Sequence, residues 1–280
     1  MKYFFTYIFL LGLCTSNNNL LAQSTFDSQK EEADSLFEVK EYLLAATLYE
    51  KVLFEYPTSK QKNQTYLKRI ESLVNANEHE RAAYEASSFF LMDSVSKSIR
   101  YYEALSQYLS GNVLLANLAI QKYDNLPKNS DLVDIDMLRL KAIAFSESKK
   151  FEELEKLFNS KEFSNSFNSE QCLQWLNEYK SLKYKKTERA EWYSTFVPGL
   201  GQVYAGKFAE GAASFILNSS GLFFMGYNFW QTNYFTTFTV GSALLNKFYF
   251  GGRRRAHFLV EQRNKELKAK DLEQLLSLMK

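Results

Sequence analysis

The chain has 280 residues, 46% of them hydrophobic, and a formal net charge of +2 at pH 7. This length accommodates one large domain or two small ones, and the balanced charge argues against a protein that binds nucleic acid through a basic surface. With only 11 Gly and 3 Pro, the composition disfavours an all-β protein rich in tight turns and favours long helices. We therefore predict an all-α protein with no nucleic-acid partner.

The first predicted element is a signal peptide over residues 1–22. Lys2 supplies the basic start, YFFTYIFLLGL is an apolar run of suitable length, and Ala22 is a small residue before the cut. A retained membrane anchor is the alternative, although the run is short for a span of about 20 residues. Cleavage would remove Cys14 and leave Cys172 as a single thiol, so we expect an exported protein without an internal disulfide.

Residues 26–183 are predicted to form successive helix pairs with a recurring pattern. In the first pair, Ala33 and Ala45 are small enough for two helices to approach closely, Tyr49 follows on the same face, and Pro57 ends the second helix. Degraded copies begin near positions 70, 104 and 142, close to the roughly 34-residue spacing of helical repeats. SEQCLQWLNEYKSL is then predicted as a closing helix. A generic helical bundle with coincidental spacing is the alternative.

The first pair resembles a tetratricopeptide repeat, because Ala33, Ala45, Tyr49 and Pro57 occupy the positions of that pattern. The resemblance implies a helical-repeat solenoid whose concave surface is lined by the first helix of each pair. Such a groove would bind a peptide or protein partner, and aromatic residues and arginine are frequent interface anchors. The groove-facing positions give these candidate contacts: Phe37, Val74, Tyr101, Tyr108 and Arg139.

The stretch FVPGLGQVYAGKFAEG, residues 196–211, concentrates glycine in a chain that otherwise contains little of it. Gly201, Gly206 and Lys207 have the spacing of a phosphate-binding P-loop. However, Phe208 replaces the hydroxyl residue that would bind Mg²⁺, and no strand precedes the stretch. A membrane-associated enzyme or lipid-binding protein that holds a phosphate or headgroup around Lys207 is the alternative function.

We interpret residues 196–252 instead as a glycine-rich elbow followed by a transmembrane helical hairpin. From Gly211 to Asn246 the sequence contains no charged residue, which suits two short spans of about 18 residues each. The predicted break is at residues 231–233, where the flanking Trp230 and Tyr234 suit a membrane interface. A buried hairpin in a soluble domain is the alternative.

Three glycines are predicted to let the two hairpin helices pack closely, namely Gly221, Gly226 and Gly241. Basic residues flank the hairpin on both sides, in a predicted linker over residues 184–195 and a predicted amphipathic C-terminal helix over residues 253–280. The positive-inside rule would place both flanks in the cytoplasm, which conflicts with export. The orientation of the hairpin and the choice between inner and outer membrane therefore stay open.

The elbow resembles the P-G-x-G-Q-x-Y-x-G signature of small bacterial two-span membrane modules. The chain also resembles an uncharacterised bacterial family in which exported tetratricopeptide repeats precede such a hairpin, and FYFGGRRRA is similar to the exit of that hairpin. The resemblance implies a location in the bacterial cell envelope, with the repeats outside the cytoplasm and no enzymatic activity. The residues that carry the signature are Pro198, Gly199, Gly201, Gln202, Tyr204 and Gly206.

No sequence pattern predicts a catalytic, cofactor or metal site. The two histidines are isolated, since HERAA around His79 lacks the second histidine of a zinc-protease helix and His257 follows a run of arginines. No serine lies in a G-x-S-x-G motif. We therefore predict a membrane-anchored adaptor or scaffold that is not an enzyme and needs neither a cofactor nor a metal.

Overall fold

The computed structural model describes residues 25–58, 60–89, 95–127 and 134–280, without the side chain of Leu245. All regular structure in these ranges is helical, which confirms the prediction of an all-α protein. The predicted signal peptide, residues 1–22, lies outside the described residues. The chain divides into two compact units, Met1–Ser166 and Phe167–Lys280.

The first unit is built from helices that pack on their neighbours in the sequence, such as α2 on α3 and α5 on α6. Within the described ranges, its helices are α1 (25–38), α2 (Tyr42–Glu55), α3 (Lys62–Asn75), α4 (His79–Ser87), α5 (Ser96–Leu109), α6 (Val113–Asp124), α7 (Ile135–Glu147), α8 (Phe151–Phe158) and α9 (Lys161–Ser166).

Small buried residues mark the places where these helices meet. Ala33 and Ala45 are fully buried beside Tyr49, and the Tyr49 hydroxyl donates a hydrogen bond of 2.5 Å to Asp34. The corresponding positions of the later pairs are also buried: Ile70, Leu73, Ala82, Ala104, Ala116, Ile120, Ala142 and Leu154. Other positions of the pattern are half-buried, namely Leu36, Phe37, Phe145 and Phe151, and Gly111 is exposed. The apolar pattern therefore predicted many of the core positions, while membership of a repeat family stays a prediction.

Four helix pairs of the first unit share one kind of turn. Each turn contains a residue with positive φ, at Lys40 (67°), Asn77 (62°), Gly111 (80°) and Lys149 (55°). In each, this residue and the next donate backbone hydrogen bonds to the end of the preceding helix, as in Lys40 N to Phe37 O at 3.0 Å. This is the Schellman arrangement, which satisfies the last carbonyl groups of the helix. The turns recur at about the 34-residue period of helical repeats.

The second unit begins with α10 (Ser169–Ser181), the helix predicted to close the repeats, and α10 packs on the last helix of this unit. A continuous helical run follows the hairpin turn at residues 231–233. It contains two π-helical segments, Thr237–Gly241 and Asn246–Phe250. The remaining helices are α11 (Thr187–Phe196), α12 (Leu200–Ala205), α13 (Phe208–Trp230), α14 (Tyr234–Thr236), α15 (Ser242–Leu245) and α16 (Gly251–Leu278).

The core of the second unit joins α11, α12 and α16 through small and aliphatic side chains, among them Ala190, Ala205 and Ala256. Lys185 and Asn264 add two hydrogen bonds between distant parts of the chain. Lys185 N donates to Asn264 Oδ1 at 3.2 Å, and Asn264 Nδ2 donates to Lys185 O at 2.8 Å. Residues 184–195 were predicted as a linker, but most of them lie in α11. Ala190 and Ser194 of this helix are buried.

A helix–turn–helix occupies the predicted hairpin region, with α13 packed against the returning run. None of the helices described combines the length and the apolar character that crossing a bilayer requires. The structure differs here from the predicted pair of membrane spans. Asn218 and Asn228 lower the apolar character of α13, and the α-helical pieces of the returning run are short.

The glycines of the hairpin differ in how closely other atoms approach them. A Cβ atom at Gly241 would lie 2.4 Å from Met225 Cγ, so the predicted close approach is present there. A Cβ atom at Gly221 or Gly226 would meet no described atom within 4 Å. A close approach of the two helices is therefore seen at Gly241, while at Gly221 and Gly226 it stays a prediction.

Candidate functional site

The first helices of the pairs carry a connected row of half-buried polar and aromatic side chains. Lys68 Nζ lies 4.4 Å from the centre of the Phe37 ring and 3.1 Å from a Glu71 carboxylate oxygen. Burial and the neighbouring Glu71 carboxylate raise the pKa of Tyr102, and the Tyr102 ring lies 5.2 Å from that of Tyr101. These contacts link α1, α3 and α5 side by side.

The row continues onto α7. Arg139 Nη1 donates to Asp136 Oδ1 at 3.2 Å, and the charges of both residues act on Tyr101. Burial, followed by the charges of Asp136 and Asp134, raises the pKa of Tyr101 to about 12. Tyr101 is therefore a neutral hydrogen-bonding group at physiological pH. We call this set the first-helix row: Phe37, Lys68, Glu71, Tyr102, Tyr101, Asp136 and Arg139.

Two of the five predicted partner contacts, Val74 and Tyr108, are not among these seven residues, and their part in partner binding stays a prediction. Val74 is 9% exposed and belongs to a core cluster with Ile70 and Leu73, so its side chain contributes to packing. Tyr108 packs against the cluster around Ala104, and burial raises the pKa of Tyr108 to about 12. Phe37, Tyr101 and Arg139 remain the predicted residues that the structure brings into one row.

Sequence reasoning missed the residues that connect the row, Lys68, Glu71 and Tyr102. The spacing of Lys68 and Glu71 on one helix is a local signal for an ion pair. Their contacts with Phe37 and Tyr102, however, cross from one helix pair to the next. The pattern of a single helix does not give such lateral neighbours.

The hairpin exposes an aromatic surface in the second unit. The exposed fractions of Trp230, Phe235 and Phe223 are 85%, 82% and 75%. Trp230 and Phe235 lie on either side of the turn. Other large apolar side chains of the hairpin are also exposed: Phe215, Ile216, Leu222, Tyr227, Phe229, Tyr234 and Phe238. We call these ten side chains the hairpin surface. A large exposed apolar patch of this kind marks a contact with protein or membrane.

The glycine-rich signature forms a tightly packed base for the hairpin. A Cβ atom at Gly201 would lie 2.2 Å from Ala190 O and 2.3 Å from Ser194 Oγ, so only glycine fits against α11. Gly199 has a φ of 95°, and a Cβ atom there would lie 2.1 Å from Gly211 O. These glycines therefore allow α11, α12 and α13 to approach at backbone distance.

The polar residues of the signature are also used inside this base. Gln202 is 2% exposed, and its Nε2 donates to Gly252 O at 3.0 Å. The Tyr204 ring packs edge-on against Tyr193 at 5.3 Å, while Lys185 Nζ donates to Tyr204 O at 2.5 Å. Pro198 lies in the turn between α11 and α12. The signature thus fixes α16 and the residues before α11 to the start of the hairpin.

The near-P-loop does not present free backbone donors for a phosphate. Gly201 N donates to Ser194 Oγ at 3.1 Å, whereas Gly206 N and Lys207 N donate to Val203 O and Gln202 O, each at 2.9 Å. A P-loop binds phosphate through N–H groups that point at the ligand. Here the N–H group of Gly201 is used by Ser194 of α11 and those of Gly206 and Lys207 by α12. Gly206 (φ of 96°) ends α12.

No protein-family model matches the sequence, and neither a curated protein nor a solved structure shows significant similarity to it. Within the described ranges, no group of His, Cys, Asp and Glu side chains is arranged to hold a metal ion.

Proposed function

We propose that the chain is a membrane-bound helical-repeat adaptor of the bacterial cell envelope. The hairpin surface carries this proposal, because it places ten large apolar side chains in solvent on a segment without charge between residues 211 and 246. Burying such side chains in lipid contributes about 1.5–3 kcal/mol each at most. Aromatic residues at the turn suit the boundary between headgroups and acyl chains.

In this proposal the hairpin inserts into the bilayer, and the glycine-rich base holds it to the rest of the second unit. The four helix pairs, with their recurring turns, support a tetratricopeptide-like arrangement in which the first-helix row contacts a peptide or protein. The half-buried aromatic rings of that row offer contact area at low entropic cost. Export by an N-terminal signal would place the repeats outside the cytoplasm.

Binding of the purified full-length chain to phosphatidylcholine vesicles tests the membrane part of the proposal. We expect the chain to float with the vesicles and the double variant Trp230→Ser/Phe235→Ser to lose most of this binding. Phe54→Ser is the matched control, because Phe54 is 86% exposed but lies on α2 in the first unit. An equal loss of vesicle binding in Phe54→Ser, or no vesicle binding by the wild type, would contradict membrane insertion through the hairpin.

Site-specific photo-crosslinking in bacterial envelopes tests the adaptor part. A crosslinker at position 102 or 139, within the first-helix row, should give a discrete adduct with one protein. A crosslinker at position 114 is the control, because Leu114 is 77% exposed on a second helix. The same adducts from all three positions, or none from the row, would argue against a partner in the groove.

The alternative of an enzyme or lipid-binding protein that uses the glycine-rich stretch around Lys207 has less support. The backbone donors of that stretch are engaged within the protein, as described above.

A further inference from the structure

A cavity of about 370 Å³ lies at the base of the hairpin, between α13 and the start of α16. Its walls combine apolar groups from Ala213, Leu217 and Phe248 with charged groups from Glu210, Lys247 and Arg255. Of the near-P-loop stretch, residues 201–208, Gln202 lines the cavity and Lys207 does not. The cavity is thus apolar on some walls and charged on others, as a lipid headgroup site has to be.

Asn218 lines the cavity and has an unpaired hydrogen-bond acceptor. The side chain is 3% exposed, and its Nδ2 donates to Ser214 O at 2.7 Å. Its Oδ1 atom is buried and has no partner among the described residues. A buried acceptor of this kind is normally paired. A ligand hydroxyl group in the cavity would supply the missing donor.

The charges of the cavity favour an anion. Arg255 forms two hydrogen bonds to Glu210, from Nε at 2.9 Å and from Nη2 at 3.2 Å. Lys247 has no ion-pair partner in the part of the chain that the structure describes. The three side chains therefore leave one net positive charge, which complements one phosphodiester.

The position of the cavity fits a headgroup. Trp230, at the end of the 23-residue helix α13, lies about 34 Å along the helix from its start, at 1.5 Å per residue. Glu210 and Asn218 belong to the first half of this helix. If the turn is the inserted end, the cavity lies towards the membrane surface, where phosphate groups are found.

We propose that the cavity binds the headgroup of an anionic phospholipid that carries a free hydroxyl group, such as a glycerol headgroup. The phosphodiester lies between Lys247 and the remaining N–H groups of Arg255, and the headgroup hydroxyl donates to Asn218 Oδ1. The acyl chains leave along the apolar wall of Leu217. This inference rests on the proposed membrane insertion of the hairpin and adds a lipid preference to it.

Vesicle binding of the full-length chain tests the preference with three lipids. Phosphatidylglycerol has the phosphodiester and the hydroxyl groups, phosphatidylmethanol has the same charge without a hydroxyl, and phosphatidylcholine has no net charge. We expect binding to phosphatidylglycerol about fivefold or more tighter than to phosphatidylmethanol, the factor expected for pairing a buried acceptor. Asn218→Leu, which removes the acceptor at similar volume, should abolish this difference.

Lys247→Gln and Lys207→Gln form a matched pair for the charge. Loss of one lysine near an anionic surface weakens binding by roughly fivefold through general electrostatics. We expect Lys207→Gln to weaken binding to phosphatidylglycerol vesicles by no more than about fivefold. Lys247→Gln should weaken the same binding by a larger factor. Soluble glycerophosphoglycerol in excess should not displace the chain from vesicles, whereas full displacement would assign the cavity to a free phosphodiester and overturn the lipid proposal.

The outcomes separate this inference from the proposed function. Binding to all three vesicle types without a preference for phosphatidylglycerol, or equal losses in the two lysine variants, would overturn the headgroup site and leave membrane insertion supported. No binding to any vesicle would overturn both. Circular dichroism of each variant establishes that its helices are intact, and Lys247, which is exposed, supplies a variant that leaves the core unchanged.

Discussion

Two glycines of the second unit show how far the surroundings decide what a residue does. At Gly201 the space for a side chain is already occupied by Ala190 O, Ser194 Oγ and Ala256 Cβ, all within 2.7 Å of a Cβ position. At Gly226 that space is open. The first glycine is required for a close helix crossing, while the second lies in a helix that tolerates a larger residue.

This contrast predicts opposite effects of the same substitution. Gly201→Ala should lower the free energy of unfolding by about 1–3 kcal/mol, the usual cost of overpacking. Gly226→Ala should raise it by up to about 1 kcal/mol, because alanine is the better helix former. Urea unfolding in mild detergent measures both. Similar effects at the two positions would mean that the crossing at Gly201 is looser than described.

Among the elements, the four helix-pair turns have one backbone shape but different residues. Gly111 adopts its positive φ without strain, and Asn77 tolerates it. Lys40 and Lys149 adopt the same region at a cost of roughly 1–2 kcal/mol, since a side chain crowds the following carbonyl group. The turn geometry is therefore maintained by the packing of the helices it joins.

We expect Lys149→Gly to raise the free energy of unfolding of the first unit by about 1 kcal/mol, because it relieves this strain. Gly111→Ala should lower it by a similar amount. Asn77→Gly serves as the control, and we expect it to change the free energy of unfolding by about zero. Far-UV circular dichroism during urea unfolding gives all three values. A loss of stability in Lys149→Gly would show that flexibility of the unfolded chain outweighs the strain.

The sequence predicted the helices and many core positions, because apolar spacing and small residues such as Ala33 and Ala45 act within one helix pair. It also predicted a glycine-rich elbow before the hairpin, although Gly201 itself lies within α12. It did not predict what Gly201 packs against, since Ala190 and Ala256 come from helices before and after the hairpin. The connection of Phe37 to Tyr102 through Lys68 and Glu71 was missed for the same reason, because it crosses between helix pairs.

At the scale of the whole molecule, each of the two compact units has buried clusters of its own, with Ala45 in a cluster of the first unit and Ala190 in one of the second. Units with separate cores commonly unfold in separate transitions. Cys172 reports on the second unit alone, because its side chain is fully buried and burial raises the pKa of its thiol to about 11.

Urea unfolding of a Cys14→Ser chain should therefore show two transitions. Gly201→Ala should shift the transition of the second unit, which thiol labelling of Cys172 measures. Ala45→Val, which overpacks a fully buried position of the first unit, should shift only the transition of the first unit. A single transition that both variants move equally would show that the two cores unfold as one.

The pairing of Lys185 with Asn264 has a consequence for the synthesis of the protein. The ribosome completes the hairpin surface at Phe238, before it makes the part of α16 that contains Asn264. At about 5–20 residues per second, the interval between these two residues lasts about 1 to 5 s. During that interval the aromatic hairpin is complete while its base is still open. A membrane or a chaperone must receive it in those seconds, before the final helix closes the base.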